Sequence, residues 1–197
     1  MLRNFTTLPT RLLPSGAGFS EPGQALPERV QVSDPAVLVM TDLKNVSAVL
    51  IRPTDSIDEA NSRMKQRGVR LLLVVDGGRK VVGLITATDI LGEKPMQFGQ
   101  ESGVRHQDIL VRDIMTPQDL LEVLNLEDVL AAKVGHIVAT LKKAGRQHAV
   151  VAETGPAGQQ SVRGLFSASQ IARQLGVAIQ TTEVATTFAE IEAMLAR

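Results

Sequence analysis

Apolar residues occur along this chain in short runs separated by polar turns, and the first half shows the order of these runs clearly. A run over 47–51 predicts a strand, and 71–75 is apolar without alternation, as in a strand buried on both faces. Between them, 56–68 carries a helical stripe that begins with a capping box and ends at a glycine. The turn over 76–78 and a return strand over 80–85 predict a hairpin.

Residues 82–91 join the return strand to a second helix and hold the first candidate chemistry. Thr86 stands where that helix begins and Asp89 follows three residues later, so both side chains lie on one face. At such a corner Asp89 can accept hydrogen bonds from two sugar hydroxyls, and Thr86 can donate to a phosphate held at the helix start. A capped helix without a ligand is the simpler interpretation of this spacing.

A second copy of this motif occurs in the second half of the chain, after the same order of apolar runs. The matching positions are Gly83 and Gly164, Thr86 and Ser167, and Asp89 and Gln170. The elements predicted for this half are strands over 120–124, 149–152 and 161–166 and a helix over 167–175. Its other helix, over 125–143, is longer than the counterpart, which predicts an extra turn or two around 126–132.

The doubled motif, together with Val111-Arg112-Asp113-Ile114-Met115-Thr116-Pro117 ahead of the second copy, resembles the CBS domain over residues 37–177. This resemblance implies an α/β (α+β) fold with two β-α-β-β-α units packed as a pseudo-twofold pair. The expected segments are an extended N-terminal arm over 1–35, CBS motifs over 36–92 and 111–178, a linker over 93–110 and a C-terminal amphipathic helix over 179–197.

The resemblance also implies two clefts between the motifs, each able to hold an adenine nucleotide or S-adenosylmethionine. In the first cleft Asp89 is expected to bind ribose and Thr86 to approach the phosphate. The second half is expected to contribute Val123, Arg146, His148 and Ala149. Arg146 is equally well interpreted as a solvated cation at a helix end.

The second cleft is expected to be weak or empty. Gln170 replaces the ribose-binding Asp, and an amide carries no charge and donates as readily as it accepts, whereas Ser167 remains as a helix cap. The first cleft has a weakness of its own, because the extra segment over 126–132 is expected where the adenine would be framed and could block the pocket.

Composition limits the classes of partner and site. The 197 residues carry 21 basic and 21 acidic side chains, so nothing favours nucleic acid or an anionic membrane surface. There is no Cys for a disulfide or thiol nucleophile, and no apolar run approaches the ~20 residues of a membrane span. His106, His136 and His148 are scattered without metal-ligand spacing, and no catalytic centre is recognisable. We therefore expect a cytoplasmic, non-enzymatic protein that requires no cofactor or metal.

Two functions from different classes fit this sequence. The first is a regulatory module that binds AMP, ADP, ATP or S-adenosylmethionine between its CBS motifs and signals through a homodimer to a separate regulated protein. The second is a ligand-free structural or interaction module, assembled through CBS faces and the C-terminal helix. That helix has a regular apolar stripe formed by Val184, Phe188, Ile191 and Leu195.

Overall fold

The computed structural model describes residues 23–177 together with residues 12, 14, 15 and 17. The predicted C-terminal helix over 179–197 lies outside the described residues. The described chain forms two four-stranded sheets with helices. This mixed α/β architecture confirms the predicted fold class.

The first half follows its predicted order closely. It contains β2 (Leu50–Ile51), α1 (Ile57–Arg67), β3 (Leu71–Val75), β4 (Val81–Thr86) and α2 (Ala87–Leu91). Ser56 caps α1 by accepting a hydrogen bond from the Glu59 N–H at 3.1 Å, and Gly68 ends the helix at a φ of 64°. The predicted linker is partly helical, with α3 (Lys94–Ser102), a 3₁₀ turn (His106–Asp108) and α4 (Val111–Ile114).

The second half departs from prediction near its start. Its elements are β6 (Val123–Asn125), α5 (Leu126–Ala131), α6 (Val134–Ala144), β7 (His148–Thr154), β8 (Gln160–Ser167) and α7 (Ala168–Gln174). The strand predicted over 120–124 begins only at Val123, and the helix predicted over 125–143 is two helices. The break occurs because the Ala132 carbonyl accepts the Ala36 N–H at 2.9 Å and Lys133 forms a bridge with Pro35, which requires extended backbone.

The two halves exchange short strands. β1 (Thr41–Asp42) precedes the first half but pairs antiparallel with β8, and β5 (Thr116–Pro117) precedes the second half but pairs with β4. The sheet orders β2-β3-β4-β5 and β6-β7-β8-β1 are therefore equivalent. The start of the first CBS motif at residue 36 stays a prediction. Residues 41–42 follow that boundary in sequence, but they pair in the sheet of the second half.

The exchanged strands explain the repeated glycine of the motif. A Cβ at Gly83 would lie 2.6 Å from the Thr116 carbonyl oxygen and 2.9 Å from the Met115 sulfur. A Cβ at Gly164 would lie 2.7 Å from the Met40 sulfur. Since real Cβ atoms do not approach a backbone oxygen as closely as 2.6 Å, Gly83 requires glycine for close backbone approach. At Gly164 the approach is less strict, because the Thr41 carbonyl oxygen would lie 3.0 Å from the Cβ and the Met40 side chain can move.

The described part of the N-terminal arm lies along the second half. The buried Gln174 holds it, because its side-chain amide donates to the Pro27 carbonyl at 2.8 Å and its backbone carbonyl accepts the Val30 N–H at 2.9 Å. Gln24 also bonds to the backbone of Met40 and Asp42. Among the helices within the described residues, none has the length and apolarity needed to cross a membrane.

Candidate functional site

Thr86 and Asp89 form a reciprocal cap at the start of α2. The Asp89 Oδ2 atom accepts from the Thr86 backbone N–H at 2.8 Å and from the Thr86 hydroxyl at 2.7 Å. The Asp89 N–H donates back to Thr86 Oγ1 at 3.2 Å. Because Thr86 gives its only hydroxyl proton to Asp89, it cannot donate to a phosphate in this arrangement, contrary to the expected role.

The other Asp89 oxygen is also occupied. Lys94 places its Nζ 2.5 Å from Asp89 Oδ1, and Asp89 itself is only 9% exposed. Lys94 lies in α3, within the segment that the sequence identified as a linker. Each carboxylate oxygen has two lone pairs, so Oδ2 is filled and Oδ1 has one acceptor position left.

A cleft of about 240 Å³ lies between the two halves and contains this carboxylate. It is lined by Leu84, Thr86, Thr88, Asp89, Thr116, Leu121, Glu122, Gly145, Arg146, Gln147, His148 and Val150. Thr86, Asp89, Arg146 and His148, four of the residues predicted from the sequence, therefore face one cavity.

Val123 and Ala149 lie outside this cleft. Side chains of a strand alternate between its faces, so His148 and Val150 face the cleft while Ala149 packs against the core of the second half. Because β6 begins later than predicted, Leu121 and Glu122 reach the cleft, and Val123 lines a different cavity.

Glu122 changes the electrostatics of the cleft. Its Oε2 lies 2.9 Å from Nη1 of Arg146, one of the residues predicted for this cleft. Arg146 and Lys94 thus each have a carboxylate partner in or beside the cleft. Both side chains of the Arg146 pair are well exposed, so this ion pair contributes little to stability and separates easily.

His148 is neutral near physiological pH. Burial, together with the positive charge of Arg70, lowers the pKa of His148 from 6.5 to about 4, although the negative charge of Asp89 opposes both. Arg70 lies just before β3 and was not identified from the sequence. It corresponds to Gln147 of the second half, since their carbonyls accept the equivalent N–H groups of Ala87 and Ala168.

The first half of the chain matches a known family. The family model of the CBS domain matches residues 37–95. Residues 37–95 are a CBS domain. The second half repeats its strand order, and the described chain has the fold of a CBS pair. No curated protein matches the chain.

Solved structures share this CBS-pair fold at low identity. A conserved protein from Pyrococcus horikoshii is 22% identical, covers 78% of this chain and 100% of its own, and gives a TM-score of 0.54. A protein with CBS domains from Burkholderia ambifaria is 20% identical, with 70% and 87% covered and a TM-score of 0.50. A CBS-domain protein from Agrobacterium tumefaciens is 17% identical, with 66% and 86% covered and a TM-score of 0.50. At these identities the similarity establishes the fold.

The extra segment of the second CBS motif does not block the cleft. α5 packs against β7, β6 and the 3₁₀ helix Ala36–Val39, and Val129 is buried in the core of that half. None of its residues lines the cleft. The segment over 126–132, which the sequence placed where it could block the pocket, instead packs its apolar side against residues 36–39.

The motif residues of the second half have other contacts. Ser167 makes no capping hydrogen bond, contrary to prediction, and its hydroxyl lies 3.0 Å from that of Ser169. Gln170 donates to Gln174 Oε1 at 3.4 Å, and Gln174 holds the N-terminal arm. Neither cavity described for this chain includes Ser167 or Gln170. The weak second cleft stays a prediction.

A metal centre finds no support in the part of the chain that the structure describes. Within it, no three His, Cys, Asp or Glu side chains come close enough together to hold an ion. His136 is occupied locally, because its Nδ1 accepts the Lys133 N–H at 3.1 Å.

Proposed function

We propose that this CBS pair is a regulatory module that binds an adenosine-type ligand in the cleft between its halves. The observation that carries the proposal is the meeting of Thr86 and Asp89 from one half with Arg146 and His148 from the other in one cavity. Asp89 offers an acceptor to a ribose hydroxyl, and the guanidinium of Arg146 offers a charged partner to a phosphate.

The size and charge of the cleft favour a small ligand among AMP, ADP, ATP and S-adenosylmethionine. Its volume of about 240 Å³ is below the about 300–1,000 Å³ that is usual for a small-molecule site. Glu122 and Asp89 both lie in it, so each additional phosphate adds repulsion unless a cation is released from its partner. AMP is our first candidate for these reasons.

Transmission of the signal is part of the same proposal. Because the cleft is built from both halves, a ligand that contacts both would fix their relative position. We propose that a homodimer and a separate regulated protein respond to this change, at a cytoplasmic location.

A thermal-shift and calorimetric screen tests the ligand. A ligand at a hundredfold excess over its Kd stabilises the folded state by about 2.7 kcal/mol, or about 5–10 °C in Tm for a chain of this size. We expect a shift with AMP that is lost in Asp89→Ala and retained in Gln170→Ala, the matched change in the second motif. Retained affinity in Asp89→Ala would overturn the site, and no shift with any of the four ligands would overturn the proposed function.

One observation favours a ligand-free assembly module as the second candidate. The cleft cation Arg146 and the neighbouring Lys94 already have carboxylate partners within the chain, so charge balance does not require a ligand. This function predicts that removing residues 183–197 changes the oligomeric state in sedimentation experiments and that no adenosine compound stabilises the protein.

A further inference from the structure

A second and larger cavity, which we call the inter-sheet groove, lies between the two sheets. Its volume is about 910 Å³. It is lined by Leu43, Ser47, Ala48, Leu50, Leu73, Val75, Arg79, Lys80, Val81, Gln118, Leu121, Val123, Val150, Ala152, Gln160, Ser161 and Val162. Equivalent positions of the two halves line it, such as Leu50 and Val123 or Leu73 and Val150. Most of this wall is apolar.

The charges of the inter-sheet groove have one sign. Arg79 and Lys80 line it, and no Asp or Glu among the described residues does. Neither side chain forms an ion pair or a hydrogen bond with the described residues. This differs from the smaller cleft, where Arg146 is paired with Glu122. An anion entering the groove would therefore find two cations that no carboxylate neutralises.

Arg79 has a positive φ, a backbone conformation that favours glycine, and the equivalent residue of the second half is a glycine. The Arg79 N–H donates to the Asp76 carbonyl at 3.0 Å, and the Gly158 N–H donates to the Gly155 carbonyl at 2.9 Å in the equivalent turn. Both residues have positive φ, 61° at Arg79 and 81° at Gly158. Glycine adopts this conformation readily because it has no Cβ atom, whereas a residue with a side chain is strained in it. The first half thus carries an arginine where the turn itself favours glycine.

We propose that the inter-sheet groove binds a small amphipathic anion. Its apolar body would lie against Leu50, Leu73 and Val123, and its carboxylate or phosphate head would bind Arg79 and Lys80. The volume lies within the usual range for small-molecule sites, about 300–1,000 Å³, and a wall that combines apolar side chains with polar and charged ones suits an amphipathic ligand.

This site is separate from the nucleotide cleft. The two cavities share Leu121 and Val150, but Arg79 precedes β4 and Asp89 follows it. A strand of 6 residues is roughly 20 Å long, which is more than one mononucleotide can span. The groove therefore takes its own ligand, and its test does not depend on the adenosine proposal.

Calorimetric titration with decanoate, decyl phosphate and the neutral decanol tests both the class of ligand and its head group. The decisive variant, Arg79→Gly with Lys80→Gln, gives the first turn the residues of the second, Gly158 and Gln159, and so preserves the turn. Lys65→Gln, on the exposed side of α1, is the control for loss of one positive charge away from the groove. Amide NMR shifts locate the binding.

We expect one of the two anions to bind the protein at least tenfold more tightly than decanol, with shifts at Val123 and Val150. The double variant should lose that tenfold preference, and Lys65→Gln should keep it. Whether decanoate or decyl phosphate binds more tightly identifies the head group. Equal affinity for decanol, no binding of either anion, or unchanged affinity in the double variant would each overturn the proposal, whereas AMP binding would be unaffected.

Discussion

Lys94 and Asp89 form an ion pair beside the proposed ribose site, with Nζ 2.5 Å from Oδ1. The opposite oxygen, Oδ2, is filled by the backbone N–H and the hydroxyl of Thr86. Asp89 can therefore accept one sugar hydroxyl while Lys94 stays in place, and a second hydroxyl only if Lys94 leaves. Lys94 therefore competes with the second sugar hydroxyl for Asp89 Oδ1.

Replacing Lys94 should increase the preference of the site for ribose over deoxyribose. We expect Lys94→Met to raise the affinity for adenosine about tenfold and for 2′-deoxyadenosine less, because a hydrogen bond to a charged group contributes about 1.5–3 kcal/mol. Adenosine is used because it has no phosphate that Lys94 could attract. Calorimetry gives both affinities, with Lys65→Gln as the control. An unchanged ratio between the two nucleosides would show that Lys94 does not compete.

The motif glycine Gly83 should be intolerant of alanine. A methyl group at Gly83 would meet the Thr116 carbonyl oxygen at 2.6 Å, so the exchanged strand β5 would have to move. Such overpacking typically lowers the free energy of unfolding by about 1–3 kcal/mol, and urea unfolding measures this loss. The control is Gly77→Ala, because a methyl group added at Gly77 would meet no atom within 4 Å and the residue has no positive φ. Equal stability of the two variants would contradict a tight strand exchange.

Local signals in the sequence were sufficient for much of the fold. The apolar run over 71–75 is β3, and Ser56 and Gly68 bound α1 as their chemistry requires. The exchanged strands could not be predicted, because β1 and β5 contain only 2 residues each and pair with distant segments. The break between α5 and α6 was missed because a helical stripe continues through it, and contacts with residues 35 and 36 decide it.

The candidate site was predicted in part, at the motif residues Thr86 and Asp89 and, through the family resemblance, at Arg146 and His148. The spacing of Thr86 and Asp89 is visible in the chain, and their capping hydrogen bonds follow from it. Lys94 and Glu122 give no such signal, because a single Lys in a polar segment, or a single Glu in a predicted strand, is ordinarily solvated. Their roles arise from segments that the fold brings to the cleft.

Arg163 should be needed to hold β1 on the second sheet. It binds Asp42 through two contacts, Nε to Oδ1 at 2.9 Å and Nη2 to Oδ2 at 2.6 Å. Asp42→Asn would leave a largely buried guanidinium with the carboxylate of Glu153, 3.8 Å from its Nη1, as its remaining charged partner, and we expect a loss of about 2–3 kcal/mol in urea unfolding. Lys44→Met, which removes a more exposed ion pair with Glu153, should cost less than about 1 kcal/mol. A similar small effect for Asp42→Asn would contradict this role.

The same pair predicts behaviour in acid. Burial raises the pKa of Asp42, but hydrogen bonds from Arg163 and the Lys44 N–H outweigh this and hold it below 3.8. The Asp42 carboxylate therefore contributes its full stabilisation above the pKa that it has in the unfolded chain. This contribution is lost as the pH falls through the lower pKa that it has in the folded protein. Unfolding free energies measured below pH 4 should converge for the parent protein and Asp42→Asn.

His148 should make stability depend on pH in a different window. Burial, reinforced by Arg70, lowers its pKa from 6.5 to about 4 in the folded protein. Between these values the unfolded chain binds more protons than the folded one, so stability is complete above pH 6.5 and falls as pH is lowered towards 4. At 1.36 kcal/mol per pH unit the loss is at most about 3 kcal/mol.

Two histidine variants separate this effect from general acid destabilisation. Urea unfolding between pH 4 and 7 should show the slope in the parent protein and in His106→Gln, whose side chain is exposed. His148→Gln should remove most of it, because the amide does not titrate. A full slope in His148→Gln would assign the pH dependence to other groups. Since His148 faces the proposed phosphate position, loss of the slope would also show that burial in the cleft keeps this side chain neutral.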